Sequence, residues 1–324
     1  MYDSRGASLL EKEGHTVSVV DSSDPVEVRQ ALVGAHALWV RTPERVTAEI
    51  LESGTELVVV STSGFGTDNV DLDAATRLGV LVVNHPGFGR IPVAEHTILL
   101  LLAVAKRLVW SDGATRDATA WDRRTDLQLF ELEGKSVGIV GLGFIGSEVA
   151  RKLSVGFGCN VIGYDPAVDR RVVHLSGARL VGGLDELLAE SDLLCLCPEL
   201  NDDSRGMIGA RELALLPRGA VVVNTSRGQV LDLDALGQAL DSGQVSAAGL
   251  DVVYPEPLPQ DHPLLSDPRV TITPHTAGLS VETSARLAQS AGEQINSALH
   301  GRDPAYPVNP QAWTGPLARR PQKV

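Results

Sequence analysis

The stretch SVGIVGLGFIGSEVARKL, from Ser136 to Leu153, constrains this chain more than any other. The run Val137–Val140 predicts a strand, Gly141-Leu-Gly143-Phe-Ile-Gly146 follows, and Ser147–Leu153 begin a helical pattern. A strand that passes through three spaced glycines into a helix opens a βαβ unit, and each glycine has a physical task. Gly141 permits the tight turn, Gly143 lets the backbone approach a pyrophosphate, and Gly146 lets the helix pack on its strand. Phe144 and Ile145 stand at the helix N-terminus, which stabilises phosphate charge. Asp165 lies nineteen residues past Gly146, at the end of the next strand, VIGYDP. Its carboxylate would accept hydrogen bonds from adenosine ribose hydroxyls and repel a 2′-phosphate, so NAD is favoured over NADP. Arg170 and Arg171 lie nearby and slightly blur that preference.

Strand and helix patterns alternate along all 324 residues, a length that accommodates two domains. Thr16–Val20, Ala37–Val40, Leu57–Val60 and Val80–Val83 form a first series of predicted strands. Ser136–Val140, Asn160–Tyr164, Leu193–Cys197, Ala220–Asn224, Ala247–Asp251 and Val270–Thr273 form a second. Pro92–Val109 and Val281–His300 read as longer helices. Aromatic residues are only 4% of the chain, so aliphatic side chains must fill the core, which suits parallel sheets covered by helices on both faces. The chain opens on a helix pattern where a βαβ domain begins with a strand, an arrangement expected of a shortened N-terminus. The Pro- and Arg-rich segment from Gly301 to Val324 is expected to be a poorly packed tail.

Net charge is −13, which argues against nucleic acid, whose phosphates attract a basic face. The three cysteines, Cys159, Cys195 and Cys197, make no disulfide framework and read as structural thiols in a reducing, cytoplasmic setting. The apolar run Ile98–Ala105 is too short to cross a bilayer, and no basic and apolar pair of segments marks a signal peptide. No cluster of His, Asp or Glu has metal-ligand spacing, so no metal is expected.

Three residues with chemistry lie beyond the ends of successive predicted strands. Arg227 lies in NTSRG, Glu256 in GLDVVYPEP and His275 in TITPHTAG. In open α/β sheets that edge is where ligands bind. Arg227, in a turn where Gly228 is expected to let the backbone bend, can offer a planar fork to a carboxylate and polarise an adjacent carbonyl. His275 can deliver a proton to a carbonyl oxygen as a hydride arrives, or take one in reverse. Glu256, paired with it, would stabilise the imidazolium. Taken singly, Arg227 could pin a loop, Glu256 could be a solvated turn residue and His275 a satisfied loop histidine. Beside a dinucleotide motif the combination points to redox chemistry on a carbonyl.

The blocks STSGFGTDNVD, PVAEHTILLLLA, ELEGKSVGIVGLGFIG, NTSRGQVLDLDAL, GLDVVYPEPLP and TPHTAG occur in an order that resembles the D-isomer-specific 2-hydroxyacid dehydrogenase family, over about Leu9 to His300. The resemblance implies two doubly wound parallel-sheet domains, a Rossmann NAD domain inserted into a flavodoxin-like substrate domain. Residues 1–92 and 281–310 would form the substrate domain, 93–280 the cofactor domain and 311–324 the tail. It implies Arg227 for substrate and a Glu256–His275 pair for acid–base work, Thr225 and Asp251 near the nicotinamide, and backbone amides around Gly64 and Phe65 for the substrate carboxylate. Closure between the domains would exclude water. Family members are usually homodimers through the cofactor domain.

Some residues depart from the family pattern. CPELNDDSRG has Cys197 where many relatives have histidine, and Glu199 where they have proline. In NHPGFGRIPVAEH, Gly89 stands where phosphoglycerate-type members often have Asn. Arg90 could read an extra anionic group or be solvated, and Phe88 could narrow the pocket or pack the loop. The function implied is hydride transfer between NAD(H) and a small D-2-hydroxy or 2-keto acid. Two alternatives stay open: a dehydrogenase of another donor such as formate or phosphite, and an NADH-sensing binding protein. Formate-type relatives place Gln where Glu256 stands, and the absence of basic segments disfavours the binding protein.

Overall fold

The computed structural model describes residues 3–21, 24–41, 44–116, 121–169 and 175–321. The chain divides into two compact units, Met1–Gly89 with Leu279–Val324, and Arg90–Gly278. Arg170 and Arg171 lie outside the described residues.

The first unit holds three parallel strands, β1 (Ala37–Arg41), β2 (Val59–Ser63) and β3 (Leu81–Val83), in the order β1-β2-β3. Side chains alternate between the faces of a strand. Val60 and Val82 pack with Leu51 and Ala75 from the helices Ala48–Ser53 and Leu72–Arg77 on one face. Val59, Leu81 and Val83 pack with Leu10 and Ile295 from Arg5–Lys12 and Val281–Leu299 on the other. Helices therefore cover both faces.

Two expectations fail in this unit. The segment Thr16–Val20 is not a strand, and Val19 and Val20 are exposed. An alternating pattern buries its apolar side chains only when a ladder forms, and β1 pairs only with β2. Residues 301–321 are not a loose tail. Asn309 is buried; it accepts a hydrogen bond from Val82 N at 2.7 Å and donates to Val80 O at 3.0 Å, and Val308 N donates to Val82 O at 2.8 Å. The segment thus covers the open edge at β3. The helix Gln311–Thr314 buries Trp313, whose indole donates to Asp303 at 3.0 Å.

The second unit holds seven parallel strands: β4 (Ser136–Val140), β5 (Asn160–Tyr164), β6 (Arg179–Leu180), β7 (Leu193–Leu196), β8 (Ala220–Asn224), β9 (Val245–Leu250) and β10 (Val270–Ile272). Their order is β10-β9-β8-β7-β4-β5-β6. The chain winds outward from β4 in both directions, so the strand order reverses there. Val137, Ile139, Val161 and Cys195 face the helices Arg90–Ala105 and Phe144–Phe157. Val140, Ile162, Leu194 and Val222 face the helices Leu184–Ala189, Ala210–Leu215 and Leu233–Ser242. The short β6 escaped the sequence pattern because both its residues are exposed. The helix expected over Pro92–Val109 runs over Arg90–Ala105 and ends before Arg107, whose φ of 49° leaves the helical region. A separate helix, Leu108–Arg116, follows.

Candidate active site

The turn after β4 has the form its glycines require. Gly141 has φ 83°, and a Cβ there would lie 2.8 Å from Pro198 backbone. A Cβ on Gly146 would meet Gly141 O at 1.9 Å. At Gly143, by contrast, a Cβ would meet no protein atom within 4 Å. Gly143 is the N-cap of Phe144–Phe157 and has no side chain to cap the first turn. Open space beside uncapped amides, at the point where strand order reverses, fits a dinucleotide pyrophosphate. Asp165 follows β5 directly, and its carboxylate accepts hydrogen bonds from Leu142 N at 2.8 Å and Ala167 N at 2.9 Å. The acidic residue and the glycine turn therefore hold each other in place.

Asn224, the last residue of β8, organises the loop that carries Arg227. Its Oδ1 accepts from Ser226 N at 3.0 Å and its Nδ2 donates to Arg227 O at 2.9 Å. Arg227 is half-buried, and its Nη1 donates to Ser226 O at 2.9 Å. Gly228 is needed for a reason other than the bend expected of it. Its φ is not positive, but a Cβ there would lie 2.1 Å from Val253 C and O. Glycine lets the Arg227 loop press directly on the loop that carries Glu256.

Glu256 Oε2 and His275 Nδ1 lie 2.9 Å apart, and Glu256 Oε1 accepts from Val253 N at 3.2 Å. A carboxylate accepting from Nδ1–H leaves Nε2 as the nitrogen able to exchange a proton. His275 has φ 53°, an unusual value for a residue with a Cβ, and its amide donates to Asp251 O at 2.9 Å.

Asp251, just past β9, is buried and accepts from Thr273 Oγ1 at 2.6 Å, Thr276 N at 2.9 Å and Ala277 N at 2.9 Å. These three bonds bracket His275 and fix its loop. His96 joins the same cluster: its Nε2 lies 2.9 Å from Thr273 Oγ1 and 3.4 Å from Asp251 Oδ1. Because the Thr273 hydroxyl donates to Asp251, it must accept from His96 Nε2–H. Sequence reasoning missed His96. The available signal was a lone histidine among the buried apolar residues of Arg90–Ala105.

Thr225 is buried, with its hydroxyl 2.8 Å from that of Thr97. Cys197 hydrogen bonds to Thr225, yet burial pushes its thiol up to about 12, and burial raises the Cys195 thiol as well. Both remain thiols and are not nucleophiles. Arg90, at the start of its helix, is one of the cations that with Arg151 hold the Glu148 carboxyl below its usual value. Among the described residues no group of three or more His, Cys, Asp or Glu could hold a metal.

Gly64 and Phe65 belong to the first unit. Gly64 has φ 111°, which favours glycine, and its carbonyl accepts from His85 N at 2.7 Å. The Phe65 carbonyl accepts from Asn84 Nδ2 at 2.7 Å. Both loop carbonyls are thus directed at the next strand's end. His85 is buried among Ser61, Ser290 and Gln294, and burial lowers it to about 4, so it stays neutral. Phe88 packs edge-on against His85 at 5.6 Å and Tyr306 at 6.3 Å, which supports loop packing for that ring.

Residues 98–277 match the family model described as D-isomer specific 2-hydroxyacid dehydrogenase, NAD binding domain. The chain is 36% identical over 313 residues to D-3-phosphoglycerate dehydrogenase of Methanocaldococcus jannaschii, covering 95% of this chain and 59% of that protein. It is 38% identical over 280 residues to glyoxylate reductase of Aeropyrum pernix, covering 85% of this chain and 83% of that protein. Among solved structures it is similar to D-lactate dehydrogenase from Aquifex aeolicus complexed with NAD and lactic acid, with TM-score 0.75, 28% identity, and 83% and 84% of the two chains covered. The chain spans a little over half the length of the phosphoglycerate dehydrogenases it matches. It belongs to the D-isomer-specific 2-hydroxyacid dehydrogenase family and carries that family's NAD-binding domain.

Proposed function

We propose that this protein is an oxidoreductase that transfers a hydride between NAD(H) and a small D-2-hydroxy acid or its 2-keto acid. The observation that carries this reading is the 2.9 Å pair of His275 and Glu256, in which the Glu256 loop packs against that of Arg227 at the cofactor edge of the sheet. Bound NADH supplies the hydride that ends on the carbonyl carbon. Arg227 grips the substrate carboxylate with its guanidinium fork and polarises the neighbouring carbonyl. His275 Nε2–H gives its proton to the carbonyl oxygen as the hydride arrives, and neutral His275 takes the hydroxyl proton in the reverse direction. Glu256 keeps the ring oriented and stabilises the imidazolium that donates.

The other assignments rest on the same reading. Gly141, Gly143, Phe144, Ile145 and Gly146 hold the pyrophosphate, and Asp165 holds the adenosine ribose in preference to a 2′-phosphate. Thr225 and Asp251 border the nicotinamide, while Gly64 and Phe65 supply amides to the substrate carboxylate. The unit containing residues 1–89 and 279–324 serves the substrate, and the unit 90–278 serves the cofactor. A homodimer through the cofactor unit is supported by exposed Leu108, Val109, Trp121 and Leu129 on that unit. A cytoplasmic site of action is supported by three cysteines that are all free, as in a reducing compartment. Among the described residues no helix is long and apolar enough to cross a membrane.

The test is NADH oxidation with a panel of 2-keto acids: glyoxylate, hydroxypyruvate, pyruvate, phosphohydroxypyruvate and branched or aromatic members. Turnover of at least one supports the reading and names the substrate. Silence across the panel, with NADH still bound, contradicts it and favours an NADH-binding protein without catalysis.

A further inference from the structure

The strand order reverses at β4, so the loops after β5 and β7 border the glycine turn from opposite sides. Asp165 follows β5. The loop after β7 begins Cys197-Pro198-Glu199, and Pro198 is the backbone against which Gly141 packs, at 2.8 Å from a Cβ built there. Glu199 is therefore the residue next to the one that touches the turn. Its loop is internally fixed: Ser204 N donates to Asn201 Oδ1 at 2.9 Å, Asn201 N donates to Ser204 Oγ at 2.9 Å, and Ser204 Oγ donates to the Glu199 carbonyl. It is also tied to the Arg227 loop, since Gly206 N donates to Gln229 O at 2.8 Å.

From these relationships we propose that Glu199 is a second determinant of cofactor choice, a carboxylate that together with Asp165 repels the 2′-phosphate of NADP(H). This rests on the assignment of the adenosine ribose to Asp165. Glu199 is exposed as a residue, yet its carboxyl is raised by partial burial and next by the charge of Asp165, with Arg227 opposing. It therefore lies within electrostatic reach of both Asp165 and Arg227. Many relatives have an uncharged proline at this position, so the second carboxylate distinguishes this chain.

The test compares Glu199→Gln with Asp165→Asn, using NADH and NADPH fluorescence titrations on the full chain. Glu199→Gln is expected to lower the ratio of the NADPH to the NADH dissociation constant roughly fivefold, the upper end of what a solvent-exposed charge pair contributes. The effect should shrink as salt is added. An unchanged ratio in Glu199→Gln, with a lowered ratio in Asp165→Asn, overturns the role of Glu199 and leaves the ribose assignment standing. Equal tightening of both dinucleotides also overturns it, because the charge would then act on the pyrophosphate they share. An unchanged ratio in both variants overturns the ribose assignment and the proposal together.

Discussion

His275 Nδ1 lies 2.9 Å from Glu256 Oε2, so one ring nitrogen is committed to a carboxylate and the other is left for chemistry. The Val253 amide holds the second oxygen of Glu256 at 3.2 Å, which fixes the carboxylate that fixes the ring. The pair is thus built from two loops at once: the one after β9, in which the Val253 amide holds Glu256, and the His275 loop pinned by Asp251.

Glu256→Gln keeps the size and a hydrogen bond but removes the charge proposed to stabilise the imidazolium. Turnover is expected to fall roughly 10²-fold, the lower end of what positioned acid–base catalysis contributes. NADH affinity, measured by titration, should not change. An unaltered turnover would show that the carboxylate charge is not used.

Gly228→Ala places a methyl 2.1 Å from Val253 C and O, where the obstacle is backbone that cannot rotate away. The Arg227 loop must then lift from the Glu256 loop. A loss of roughly 1–3 kcal/mol in unfolding free energy is expected, as in overpacked cores, together with lowered turnover. Denaturant unfolding and steady-state kinetics on the same variant measure both.

Asn309→Ala removes the acceptor for Val82 N and the donor to Val80 O, both buried in the first unit. Leaving such groups unpaired costs about 1–3 kcal/mol, so the variant should unfold at lower denaturant. A midpoint equal to wild type would mean that the C-terminal segment does not hold the β3 edge.

His85 gives a pH dependence with a definite sign. Burial lowers it from 6.5 to about 4, so between these values the unfolded chain binds a proton that the folded chain does not. Its contribution to stability is present above about pH 6.5 and is lost as pH falls toward about 4, by up to about 3 kcal/mol. Urea unfolding at a series of pH values should show this loss in wild type and a shallower slope in His85→Gln. Equal slopes would remove His85 as the cause.

The sheet and the glycine turn were legible because periodicity and glycine spacing act locally: β4, β5 and β8 fall where the β-branched runs place them. Arg227, Glu256 and His275 were legible as loop residues because each follows an apolar run that ends at the same sheet edge. What was hidden depends on contacts distant in sequence. Gly228 reads as a bend, but its constraint comes from Val253 and Tyr254. His96 reads as a core histidine until Thr273 and Asp251 are seen beside it. Thr16–Val20 has the composition of a strand, but no ladder forms there. Asn309 sits in a Pro-rich segment, and only the open edge at β3 gives its amide a purpose.

In the proposed reaction His275 donates the proton that accompanies hydride transfer. The most direct test is turnover of His275→Ala on the keto acid selected by the panel, beside its dissociation constant for NADH. A fall of about 10²–10⁴-fold in turnover with NADH binding retained is expected, the range of positioned acid–base catalysis. A near-wild-type rate would contradict it.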